Sequence, residues 1–150
     1  MSWTEGFRLL ELPLPTEARA LALQKDWPAL DALMGAWVTA TLAPRLHELA
    51  HFTHLEHMLA LREGDDPEEE DGIWHDDSSR VLAFSVSLNF WELPEGGTLG
   101  IRPLGSSAGQ ELGPYPPGTV IVFQTGQGGF EHRTSQVLKG RRLVCAGWCS

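Results

Sequence analysis

The sequence predicts a mainly β domain, a sandwich or barrel of short strands with helices packed on one face. Three observations carry that expectation. Turn signals punctuate the last two thirds of the chain, at Glu63-Gly64, Glu95-Gly96-Gly97 and Pro116-Pro117-Gly118. Apolar, β-branched runs such as Thr119-Val120-Ile121-Val122-Phe123 stand between them. The first third instead repeats apolar residues at helical spacing. With 150 residues and 42% apolar content, residues 1–150 are expected to form one folded domain. Within it, 1–54 would be helical support and 55–150 the β core.

Taken in order, Pro15-Thr16-Glu17-Ala18 opens a short helix, with Thr16 as its cap and Leu21 and Leu23 on its apolar side. Trp27-Pro28 opens a second, in which Leu30, Leu33, Met34, Trp37 and Val38 recur at helical spacing, and Pro44 marks a kink or break. Met58-Leu59-Ala60-Leu61 reads as a strand ending at Glu63-Gly64. Residues 81–88 form the next, with Asn89 near its end. Gly96-Gly97 turns into Thr98-Leu99-Gly100-Ile101, where glycine allows a tight turn or a bulge. Pro116-Pro117-Gly118 precedes another strand, and residues 142–148 are the last. Cys145 and Cys149 lie four apart in a strand-like stretch, too far to bridge each other, so both are expected as thiols.

No apolar run reaches membrane-spanning length, and Met1-Ser2-Trp3-Thr4-Glu5 lacks the order of a secretory signal, so the expectation is a cytoplasmic protein with no membrane partner. A net charge of −9 argues against non-specific nucleic-acid binding. Much of the acidity sits in Asp65-Asp66-Pro67-Glu68-Glu69-Glu70-Asp71. This run reads as a solvated loop; the sharper alternative is a rim that attracts a basic substrate. Nothing in the sequence decides the oligomeric state.

The chemistry concentrates in His75, Asp77, His132 and the pair Arg141-Arg142. Two imidazoles and one carboxylate leave one face of a metal open, the ligand set of non-haem Fe(II) oxygenases. On an extended segment His75 and Asp77 point to the same side, so both reach one ion. A rival lies upstream, where His47-Glu48-Leu49-Ala50-His51 matches the zinc-hydrolase pattern H-E-x-x-H, with His57 as third ligand. Three features weaken it. His54 stands where the extended motif needs glycine, His57 reads as the start of a strand, and no methionine turn follows.

The ordered series His75-Asp76-Asp77, Leu88-Asn89, Gly96-Gly97-Thr98-Leu99-Gly100-Ile101, Pro116-Pro117-Gly118, His132, Gly140-Arg141-Arg142 and Trp148 resembles the Fe(II)/2-oxoglutarate-dependent dioxygenases, most closely their prolyl-hydroxylase-like branch. The likeness spans residues 58–148. It implies a double-stranded β-helix, or jelly roll, with N-terminal helices packed on one sheet. It also implies Fe(II) on His75, Asp77 and His132, 2-oxoglutarate as cosubstrate with O2, and an arginine on the last strand for the far carboxylate. Arg142 and Trp148, six apart, share a strand face, and G-x-R selects Arg142; relatives that use the position nine after the distal histidine point to Arg141. Relatives often place a tyrosine near the cosubstrate. The only tyrosine here is Tyr115, in a loop, and Met58, Leu61 or Val86 would stand in the usual positions. Halogenating relatives lose the carboxylate ligand; Asp77 is retained, which implies hydroxylation of a C–H bond in a protein residue or small molecule. The other readings left open are the zinc hydrolase and a catalytically silent jelly-roll binding domain.

Overall fold

The computed structural model describes residues 3–150; Met1 and Ser2, the start of the segment read above for a leader, lie outside them. The chain runs β1 (Phe7–Glu11), α1 (Ala18–Leu23), α2 (Trp27–Trp37), α3 (Ala43–His47), β2 (Leu55–Glu63), β3 (Leu82–Ser87), β4 (Glu95–Gly96), β5 (Leu99–Pro103), β6 (Gln110–Leu112), β7 (Thr119–Gln124), β8 (Phe130–Thr134), β9 (Val137–Lys139) and β10 (Arg141–Cys149). A larger antiparallel sheet has the order β1-β7-β3-β10-β2, a smaller one β6-β5-β8, and β4 pairs with β9 as a ribbon. The two sheets face each other through Ala83, Ile121 and Phe123 on one side and Leu99, Ile101, Leu112 and Phe130 on the other. This is the expected jelly roll.

The other face of the larger sheet carries the helices. Leu82, Phe84, Val86, Val120, Val122, Leu143, Cys145 and Cys149 pack there against Ala18, Ala22, Leu30, Met34, Trp37, Val38, Leu42 and Leu46. Because β3 and β7 are covered on both faces, their sequences read as continuous apolar runs rather than alternating ones. Each large side chain buried this way contributes roughly 1.5–3 kcal/mol. The two thiols are free and buried in this layer. No helix of the described residues is long and apolar enough to cross a membrane.

Several local expectations need correction. No strand is expected before Leu55, yet β1 pairs with β7 along its length, from Phe7 opposite Phe123 to Glu11 opposite Thr119. Its Phe-Arg-Leu-Leu-Glu lacks a two-residue alternation, so periodicity does not reveal it. Thr16 does not cap α1, whose N-cap is Glu17 without a side-chain bond. Leu23 is exposed, because Ala18 and Ala22 are the residues of α1 that face the core. In α2, Asp26 caps through Ala29 N–H and the expected apolar face is buried. Ahead of Pro44, which can donate no backbone hydrogen bond, the helix widens into a π turn over Val38–Leu42 before α3 begins.

The zinc-type motif is overturned here. The helix stops at His47, where Leu49 and Ala50 N–H both cap the Leu46 carbonyl as the chain leaves to bury Phe52. His47 stacks on Phe52 at 3.9 Å between ring centroids, and His51 lies beyond the helix. His57 is on β2, with Nε2 3.6 Å from Asp31. None of the three joins a metal-ligating cluster among the described residues.

Candidate active site

The metal-ligand segment runs antiparallel beside β8. His75 N–H donates to the His132 carbonyl at 3.1 Å, His132 N–H returns to the His75 carbonyl at 2.9 Å, and Gly72 N–H reaches the Thr134 carbonyl at 2.8 Å. That pairing sets the two histidines directly opposite each other, with ring centroids 4.4 Å apart. The chain then turns. Asp76 accepts from Ser78 N–H at 2.8 Å, so Asp76 serves the turn and Asp77 is left to face the histidines. Asp77 Oδ1 lies 3.7 Å from His75 Nε2, and Asp77 Oδ2 lies 3.5 Å from His132 Nε2. One nitrogen from each histidine and a carboxylate oxygen fall within 4.8 Å of one another.

The surrounding groups fix which nitrogens are presented. His75 Nδ1 is 2.8 Å from the Ile73 carbonyl, which can only accept, so Nδ1 carries the proton and Nε2 keeps its lone pair toward Asp77. For His132 the partner is Thr125, fully buried at the end of β7. Its hydroxyl accepts from Asp77 N–H at 3.1 Å, donates to Asp77 Oδ2 at 3.3 Å, and has one lone pair left for His132 Nδ1–H at 3.5 Å. One hydroxyl thus orients two ligands. Burial, opposed by Asp77 and reinforced by His75, pushes His132 down to about 4, so the ring is neutral at physiological pH. Two imidazole nitrogens and a carboxylate oxygen converging this closely suit a divalent cation.

Further along β10, Arg142, Val144, Ala146 and Trp148 share a face and line a cavity of about 220 Å³ together with His75, His132, Met58, Arg62 and Ser85. Arg142 is buried, and its guanidinium has no hydrogen bond or ion pair with any described residue. Burial, with Arg62 alongside, lowers it to about 10, still charged at neutral pH. A buried cation lacking a counter-ion is costly, and its planar fork matches a carboxylate. Arg141 faces the other way. Its Nε lies 3.8 Å from Glu63, and its guanidinium sits over Trp91. Gly97 explains the Gly-Gly signal: its φ is +67°, and a Cβ there would stand 3.0 Å from Arg142 Cδ. Asn89 explains Leu-Asn. It donates to the Tyr115 carbonyl and accepts from Leu143 N–H at 3.0 Å, holding β10 where β3 ends.

Of the positions considered for the missing tyrosine, Met58 lines the cavity, but Val86 packs under the helices and Leu61 is solvent-exposed on the far face of β2. The one-residue alternation of β3 turns Ser85 inward instead. The acidic run is mostly solvated as expected, apart from Glu69, whose side chain is 7% exposed and pairs with Arg62 at 2.9 Å. Thr125, Ser85, Arg62 and Glu69 are thus the neighbours that sequence reasoning missed. Only Glu69 and Arg62 carried a visible signal, their charge.

No family model matches the sequence, and no curated protein matches it. Solved structures do. A prolyl-4-hydroxylase from Pseudomonas putida is 20% identical, with a TM-score of 0.68 over 97% of this chain and 88% of that one. A Trichoplax adhaerens prolyl hydroxylase, solved with a hypoxia-inducible-factor oxygen degradation domain peptide fragment, is 13% identical, with a TM-score of 0.70 over 97% and 84%. An iron- and α-ketoglutarate-dependent endoperoxidase is 10% identical, with a TM-score of 0.60 over 98% and 79%. The chain therefore has the fold of the prolyl-hydroxylase-like 2-oxoglutarate/Fe(II) oxygenases. At such identities the likeness is one of fold, and the chemistry rests on the site.

Proposed function

We propose that this chain is an Fe(II)- and 2-oxoglutarate-dependent dioxygenase that hydroxylates an unactivated C–H bond and releases succinate and carbon dioxide. The observation that carries it is the buried, unpaired Arg142 in a cavity lined by His75 and His132, two of the three residues of the metal-ligating cluster. A metal cluster alone suits many ions, and an arginine alone suits any anion. Together in one pocket they suit a keto diacid, gripped at one end by metal and at the other by a guanidinium.

His75, Asp77 and His132 would hold the ferrous ion, which when bound supplies the oxygen activation that couples decarboxylation of the cosubstrate to oxidation of the substrate. Arg142 would pair with the far carboxylate of 2-oxoglutarate through two parallel hydrogen bonds. Ile73 and Thr125 hold the imidazole tautomers, as described above. Trp148 and Met58 line the same cavity. The prime substrate is a residue of a protein or a small molecule, and hydroxylation is favoured by the intact carboxylate ligand.

The test is oxygen-dependent succinate formation from 2-oxoglutarate with Fe(II). His75→Ala and Asp77→Ala are expected to abolish it and to weaken metal binding. Arg142→Ala is expected to raise the 2-oxoglutarate requirement far more than Arg141→Ala. Full turnover in either ligand variant would remove the assignment. Zinc recovered in place of iron, or a silent protein with an intact site, would favour the readings set aside above.

A further inference from the structure

Arg142 is not the only guanidinium in the cavity. Arg62 on β2 is its direct partner across the antiparallel β10–β2 ladder, and both line the space that holds His75 and His132. Residues opposite one another on such a ladder project to the same face about 5 Å apart. The two arginines differ in what they touch. Arg142 has no partner, whereas Arg62 is held on every nitrogen. Its Nε donates to Glu69 at 2.9 Å, its Nη1 lies 3.4 Å from both the Thr134 and Ser135 carbonyls, and its Nη2 donates to the Glu70 carbonyl. Glu69 is fixed in turn by Val137 N–H at 2.7 Å. One buried carboxylate from the acidic run thus cancels one of two facing positive charges.

We propose that Glu69 and Arg62 form a charge-setting pair that leaves the Arg142 pocket a single uncompensated cation, so that it selects a lone carboxylate over more highly charged anions such as phosphate. This rests on reading the cavity as the 2-oxoglutarate site. Neither residue touches the ligand in this scheme; both are positioning residues that act through the field. Removing either should therefore move affinity in opposite directions, which a merely structural role would not do. Burial of Arg142 makes the balance sharp, because Arg62 disfavours its charged form and Glu69 favours it.

Calorimetric titrations of Arg62→Met, Glu69→Gln and the double variant test this. The ligands are 2-oxoglutarate, added to Fe(II)-loaded protein without oxygen, and inorganic phosphate, added to metal-free protein. Arg62→Met leaves the Glu69 carboxylate unbalanced and should weaken both ligands, on the order of tenfold for 2-oxoglutarate. Glu69→Gln leaves two cations and should tighten phosphate by about the same factor, raising its affinity relative to 2-oxoglutarate. The double variant, with the charge count restored, should return both ligands to near wild-type values. Two single variants that shift affinity in the same direction, or a double variant weaker than both, overturn the proposal. Should phosphate follow the predicted order while wild-type protein takes up no 2-oxoglutarate, the pair stands and the functional reading falls.

Discussion

At the scale of single residues, the site depends on hydroxyl and carbonyl groups as much as on the ligands. Thr125 has one hydrogen and two lone pairs, and the three contacts to Asp77 and His132 use them all. Replacing it by Val keeps the shape and removes every one of those contacts. Metal affinity is then expected to fall about tenfold to a hundredfold, while Thr125→Ser stays close to wild type. The stranded Asp77 N–H should also cost about 1–3 kcal/mol of stability. Metal titration and urea unfolding of both variants check this, and equal losses in Val and Ser would mean that the methyl group matters rather than the hydroxyl. His75, Asp77, His132 and Arg142 were legible in the sequence because their chemistry is rare and their order distinctive. Thr125 was not, since a threonine at a strand end has many ordinary uses.

At the scale of elements, β10 carries two programmes on its two faces. Arg142, Val144, Ala146 and Trp148 face the cavity, while Leu143, Cys145 and Cys149 face the helices. The six-residue spacing of Arg142 and Trp148 revealed the inner face from sequence alone, and α2 revealed the outer layer. What stayed hidden was set by tertiary neighbours. Phe52 ends α3 early, β7 recruits β1, and Glu69 leaves solvent for Arg62. Gly147 shows the same dependence. It lies between Phe84 beneath it and the Glu56 carbonyl of β2, and a Cβ there would overlap both. Gly147→Ala is expected to destabilise the domain by about 1–3 kcal/mol or more and to push β2 outward. A lowered melting temperature, with faster hydrogen exchange confined to β2 and β10, is the expected record. Unchanged stability would mean that the sheet edge yields without cost.

For the whole molecule, the buried site ties stability to pH. His132, 9% exposed at its side chain, is held neutral down to about 4, below its ordinary 6.5. Above 6.5 the ring is unprotonated both folded and unfolded and contributes nothing. As pH falls below 6.5 the unfolded chain takes up the proton and the folded one does not, so stability declines until the folded ring also titrates near 4. The full loss amounts to roughly 3 kcal/mol. A variant that lacks the ring isolates the histidine's share. Metal-free His132→Asn lacks the titrating ring and should lose less stability between pH 7.5 and 5 than metal-free wild type, as read from urea midpoints. Parallel loss in the two proteins would place the acid sensitivity elsewhere. Folding thus keeps the added proton off the nitrogen that a cation must share.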